Sequence, residues 1–142
     1  MLPTKLIAVS ALAVVALGDI AGARTVVLYD NTNFGGASKA FNAPYDSTCY
    51  NIWDCFNDKA ASAKWIEFSA YYVFDTLNFY ADADCKGAKY AVSGDDHYRR
   101  GDTVANFGAL SKRISSFSVM THGTGITGYT GYKCSARGAS PL

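Results

Sequence analysis

Thr25 to Phe41 reads TVVLYDNTNFGGASKAF. A β-rich run leads to Tyr29, six residues intervene, Gly36 follows, and an alternating run closes the segment. Such a stretch describes two strands joined by a long, folded-over tip, with the glycine taking a backbone conformation that a Cβ would oppose. The aromatic on the first strand can cover that glycine, where no side chain obstructs it. Leu77 to Val92, LNFYADADCKGAKYAV, repeats the pattern with Tyr80 and Gly87. One Y-x6-G is weak evidence; two in one chain imply an internal repeat.

A second pair of segments follows the first. Asn57 to Trp65 reads NDKAASAKW and Ser111 to Val119 reads SKRISSFSV. Aligned without gaps, Asn57 falls on Ser111, Asp58 on Lys112, Ala61 on Ser115 and Ser62 on Ser116. After the serine both alternate as strands do. Each half is therefore a hairpin, a long irregular connection and a returning strand that opens at a serine. That is the connectivity of a Greek key.

These elements, from about Thr25 to Met120, resemble the paired Greek-key motifs of βγ-crystallin domains. The resemblance implies an all-β double Greek-key sandwich of two four-stranded sheets, with the motifs exchanging a strand. One departure is visible. The aromatic in the hairpin tip, Phe34 in the first motif, is replaced by Cys85 in the second.

The chain ends bound the domain. Met1 to Lys5 carries one positive charge, Leu6 to Leu17 is apolar except for Ser10, and Ala21-Gly22-Ala23 supplies small residues at a cleavage site. Residues 1–23 read as a secretory signal. A membrane span needs about 20 apolar residues, and Gly18-Asp19 ends the run too early. Cleavage is expected after Ala23, with Gly18 as the alternative. Residues 24–120 form the double Greek-key domain, and 121–142 a Gly/Thr/Tyr-rich tail that lies over the sandwich. A secreted, extracellular protein follows, with no membrane association once the signal is gone. The formal net charge of +1 makes no electrostatic case for nucleic acid. A monomer is expected. Turn formers and aromatics are plentiful, while Glu67 is the only glutamate, a composition of strands and tight turns.

All four cysteines, Cys49, Cys55, Cys85 and Cys134, follow the signal. An even count in an oxidising compartment argues for two disulfides, and four cysteines allow three connectivities. Zinc is disfavoured, because no C-x-x-C is present and His97 and His122 stand far from any cysteine pair. Cys49 and Cys55 are close enough in sequence to clip the first irregular connection, which leaves Cys85 for Cys134.

In βγ-crystallins the segment N/D-N/D-x-x-S/T-S marks a calcium site, whose oxygen-rich ligands suit a hard cation. Asn57 to Ser62 fits except at Ala61, where a hydroxyl is wanted. Ser111 to Ser116 keeps the Ser-Ser end but has lost both acidic or amide positions. The resemblance implies cross-built sites, each taking acidic and backbone ligands from one motif and a hydroxyl from the other. Asn57, Asp58 and the backbone at Lys59 would then pair with Ser115, giving at most one weak calcium site. Ser111-Lys112 would meet Ala61, with an ammonium in place of an acid and no hydroxyl. The plainer alternative is that both are relics and that Asp58 and Ser62 cap turns.

Other candidates carry less. Asp95-Asp96-His97 lies between glycines and reads as a solvated loop. Two histidines and one glutamate make a poor general-base inventory, so catalysis is not expected. Arg100-Gly101-Asp102 is a receptor-readable tripeptide that also occurs by accident in turns. The aromatics from Trp65 to Tyr80 suit core packing before a carbohydrate- or protein-binding face. The functional expectation is a non-enzymatic binding or structural protein with an unidentified protein or carbohydrate target. The alternative is a secreted protease inhibitor or toxin-like antagonist, presenting Asn42 to Phe56 or Ser93 to Asp102 as its loop.

Overall fold

Alternation along Thr25–Tyr29, strand β1, puts Val26 and Leu28 wholly inside while their neighbours stay partly covered. The same period of two recurs on the strands beside it, so each sheet has one apolar face. The structure is a computed structural model that describes residues 24–66, 76–92, 103–120, 125–135 and 138–141. The expected signal, 1–23, lies outside the described residues, as do Phe68, Tyr71, Tyr72 and Phe74.

The first motif consists of β1, β2 (Ser38–Asn42), β3 (Thr48–Asn51), one helical turn α1 (Trp53–Phe56) and β4 (Ser62–Ile66). The second consists of β5 (Thr76–Asp82), β6 (Lys86–Val92), β7 (Thr103–Val104) and β8 (Ser116–Met120). β1 lies antiparallel between β2 and β4, and β5 between β6 and β8. The third strands are exchanged: β3 pairs with β8, and β7 with β4. Two Greek keys therefore interlock, and the expected all-β double Greek-key sandwich of the βγ-crystallin type is observed.

Aromatic rings fill the space between the sheets. Tyr50 of β3 stacks on Phe117 of β8 at 5.1 Å, and Phe79 of β5 meets Phe107 edge-on at 4.8 Å. Trp65, Phe79 and Tyr80 are buried, in line with a packing role for the ends of that aromatic stretch. Burying a side chain of this size contributes roughly 1.5–3 kcal/mol.

The tail does more than lie over the sandwich. β9 (Gly128–Ser135) runs parallel to β3 and extends the second sheet, then pairs antiparallel with β10 (Gly138–Pro141), which lies beside β2 in the first. The strand order is accordingly continuous, β6-β5-β8-β3-β9-β10-β2-β1-β4-β7. Tyr132 of β9 is wholly buried, meets Phe41 at 4.8 Å, and donates its hydroxyl to the Asn42 carbonyl at 2.7 Å.

The disulfides pair differently from the expectation. Cys49 joins Cys85 and Cys55 joins Cys134, with Cα atoms 5.9 and 5.5 Å apart. Strand exchange is the reason. It places β3 in the second sheet, where Cys49 meets the tip of the β5–β6 hairpin that carries Cys85. The neighbouring Asn51 fastens that same tip, donating to the Asp84 carboxylate at 2.9 Å and accepting from the Asp84 N–H at 2.7 Å. The chain then turns from strand to helix, so α1 directs Cys55 at β9 instead of back at Cys49. Nearness in sequence was overruled by the crossing between sheets.

Candidate cation site

Both hairpin tips are built from backbone that few side chains tolerate. Asn33, Phe34 and Gly36 have φ of 54, 62 and 73°, and Asp84, Cys85 and Gly87 have 57, 55 and 78°. The serines that open β4 and β8 hold the tips in place. Ser62 donates to the Asn31 carbonyl at 2.6 Å and accepts from the Phe34 N–H at 3.0 Å. Ser116 does the same with the Asp82 carbonyl at 2.6 Å and the Cys85 N–H at 3.0 Å. A Cβ on Gly36 would collide with Asp30 and Asn31, and one on Gly87 with Asp82. The residues pressed closest against the glycines are thus these polar side chains, and the tyrosine of each motif is not among them.

The segments before these serines bond to each other and to the first strand of their own hairpins in the same way twice. The Asp58 N–H bonds the Ile114 carbonyl at 3.0 Å, and the Lys112 N–H bonds the Ala60 carbonyl at 2.8 Å. The Ser115 N–H bonds the Tyr80 carbonyl at 2.9 Å, and the Ala61 N–H bonds the Tyr29 carbonyl at 2.8 Å. Asp58 and Lys112 hold the left-handed conformation, at φ 53 and 63°. The gapless alignment of the two segments therefore matches residue with residue in space.

On the Asp58 side, oxygens from both motifs converge. Ser115 Oγ lies 3.3 Å from Asp58 Oδ1, and Asn57 Nδ2 donates to Asp58 Oδ2 at 2.9 Å. Asp58 and Lys59 are exposed and Asn57 is partly buried, so an ion could reach the carboxylate without burying it. Turning the Asn57 amide over would present its oxygen in place of its nitrogen. The side-chain donors, one carboxylate, one hydroxyl and one amide, suit a hard cation. Among the described residues no three or more His, Cys, Asp or Glu side chains gather at one point. A cation here would rest mainly on neutral oxygens.

On the other side the donors are changed. Ala61 has no hydroxyl, and the Lys112 ammonium donates to the Asp30 carbonyl across the two motifs. Asp95, Asp96, His97 and the Arg100-Gly101-Asp102 tripeptide lie outside the described residues. So does the loop Ser93 to Asp102. The other candidate inhibitory loop, Asn42 to Phe56, contains β3 and α1, with Cys49, Tyr50 and Ile52 wholly buried. Both its cysteines are spent on holding other parts of the chain. No described helix is long and apolar enough to cross a membrane.

No family model matches the chain, and no curated protein does. Solved structures similar to it include a βγ-crystallin domain from Clostridium beijerinckii, 19% identical, covering 68% of this chain and 97% of that one at a TM-score of 0.48. A βγ-crystallin from an archaeon is 24% identical over 68% of this chain and 96% of that one, at 0.45. One from Flavobacterium johnsoniae is 17% identical over 70% and 97%, at 0.46.

Proposed function

We propose that this domain of βγ-crystallin type is a secreted, non-enzymatic binding or structural protein that holds one calcium ion weakly at the Asp58–Ser115 corner. The observation that carries the reading is the 3.3 Å approach of Ser115 Oγ to Asp58 Oδ1, which joins a hydroxyl of the second motif to a carboxylate of the first. Asp58 and Ser115 carry the side-chain oxygens, with the Asn57 amide and the backbone near Lys59 as further donors. Calcium takes about six to eight oxygens, and affinity rises with charged ligands. With one carboxylate, a dissociation constant of about 10⁻⁴ M is expected, in the range of extracellular modules. The ion would tie the connection before β4 to the segment before β8. Its role is to stiffen the interlock of the two motifs, not to do chemistry.

Secretion is supported by the two disulfides and by the signal-like pattern of residues 1–23. The test is isothermal titration with calcium, alongside thermal unfolding in calcium and in chelator. One ion per chain and a calcium-dependent rise in Tm support the reading. No binding, or an unchanged rise in Asp58→Ala, refutes it.

A further inference from the structure

The corner at Lys112 poses a separate question. By the correspondence between motifs, Lys112 holds the place of Asp58, and Asp30 holds the place of Ala81. Charge is therefore permuted between the halves. At one corner the acid, Asp58, stands on the first motif's segment before its returning strand, and the hairpin position of the second motif is an alanine, Ala81. At the other the acid, Asp30, stands on the first hairpin, and the second motif's segment before its returning strand supplies the Lys112 ammonium.

Two observations show that this ammonium is placed with purpose. Asp30 Oδ1 is buried with no hydrogen-bond partner, pressed against Gly36. A buried carboxylate oxygen without a donor is costly unless positive charge stands near it. The Asp30 carbonyl accepts from Lys112 Nζ, 82 residues away in sequence. The root of that lysine is fixed as well, since its N–H is held by the Ala60 carbonyl and its backbone is left-handed. A residue with a Cβ pays for that conformation, and turns usually place glycine or asparagine there.

We infer that the first half contains a cation site which the chain fills with its own Lys112 ammonium, so that this corner needs no ion from solution. The tethered ammonium binds the Ser111–Lys112 segment to the first hairpin through the Asp30 carbonyl. This inference does not depend on calcium binding at Asp58.

Charge and hydrogen bonding can be separated at position 112. Lys112→Met keeps the aliphatic stem, Lys112→Gln keeps a donor without charge, and Lys112→Arg keeps both. In chelator, Lys112→Met and Lys112→Gln are expected to unfold about 4 °C or more below the native chain, while Lys112→Arg stays within about 1 °C, on the usual scale for losing one such interaction in a domain of this size. Native Tm in Lys112→Gln would overturn the role of charge, and native Tm in Lys112→Met would overturn the site. Lys112→Asp with Ala61→Ser supplies the missing acid and hydroxyl, and in an Asp58→Ala background it is expected to bind one calcium ion where Asp58→Ala alone binds none. No gained ion in that folded variant counts against a cation site at this corner. Calcium binding that persists in Asp58→Ala alone would sink the Asp58 reading and leave the Lys112→Met result standing.

Discussion

The two motifs share a backbone and differ in how each is fastened. Both tips take the same left-handed path, and both are pinned by a serine at the start of a returning strand. In the first tip Phe34 packs edge-on to Tyr29 at 5.8 Å, with the Lys64 ammonium 4.4 Å from its ring centroid. In the second, Cys85 takes that place and is bonded to Cys49. One corner brings the Ser115 hydroxyl to 3.3 Å from the Asp58 carboxylate, and the other brings the Lys112 ammonium to the Asp30 carbonyl. Backbone hydrogen bonds carry the repeat, since they survive any side chain that tolerates the φ. Side chains are then free to fasten each half differently.

The largest effect should come from breaking the asymmetric fastener. The Cys49–Cys85 bridge spans 36 residues, and in the chain-entropy model its loss, by changing both cysteines to alanine, costs about 4 kcal/mol. Phe34→Ala, at the matching place, is partly exposed and should cost only about 1–2 kcal/mol. Denaturant unfolding of the two variants would measure the gap, and equal losses would show that the tips do not differ as described. Peptide mapping under non-reducing conditions should return Cys49 with Cys85 and Cys55 with Cys134.

Next comes calcium. At 100 times its dissociation constant the proposed ion would add about 2.7 kcal/mol. Asp58→Ala should remove that increment and Ser115→Ala should reduce it, both read as the difference in Tm with and without calcium. Substituting the tip glycines probes what the halves share. Gly36→Ala and Gly87→Ala should each cost about 1–2 kcal/mol for the left-handed backbone alone, and more where Asp30 or Asp82 must shift. A loss confined to one of them would break the equivalence of the tips.

The smallest effect is alkaline. Tyr132, on the tail, has its hydroxyl pKa pushed far up by burial, and Tyr50 is raised by the same cause. A raised pKa means that the folded state holds the neutral phenol more strongly than the unfolded state does. That advantage is complete below the ordinary value of 10.0 and declines as pH rises past it. Unfolding followed from pH 9 to 11 should show stability falling by at most about 1.4 kcal/mol per pH unit for each tyrosine. Tyr132→Phe should flatten that fall, at a cost of about 1 kcal/mol for the lost bond to Asn42.

Much of the fold was legible because the same turn chemistry is written twice. Tyr29 to Gly36 and Tyr80 to Gly87 announced the tips, and the alignment of Asp58 with Lys112 and of Ala61 with Ser115 holds in space. The approach of Ser115 to Asp58 was expected only through the resemblance, which implies cross-built sites. The disulfides were misread because sequence distance ignores the crossing of β3 between sheets. The tail was misread because β9 pairs through its backbone, and glycine and threonine do not advertise a strand. Tyr132 looked like one ring among many in a polar segment. Nothing in the order of residues tells that its ring enters the core, or that the Lys112 head reaches Asp30.

The β9–β10 hairpin changes which strands behave as edges. A bare double Greek key leaves β2 and β3 as outer strands, with amides open to solvent and to other chains. With β9 laid along β3 and β10 beside β2, both become interior members of one ten-stranded arrangement. Among the described residues, the outer strands are β6, largely exposed, and β7, of two residues. Amide hydrogen exchange should therefore be slow at Thr48–Asn51 and Ser38–Asn42, as in the middle of a sheet, and fast along β6. Cleaving the Cys55–Cys134 bond should release that protection at β3 and β2 first, before exchange at β1 or β5 begins to change.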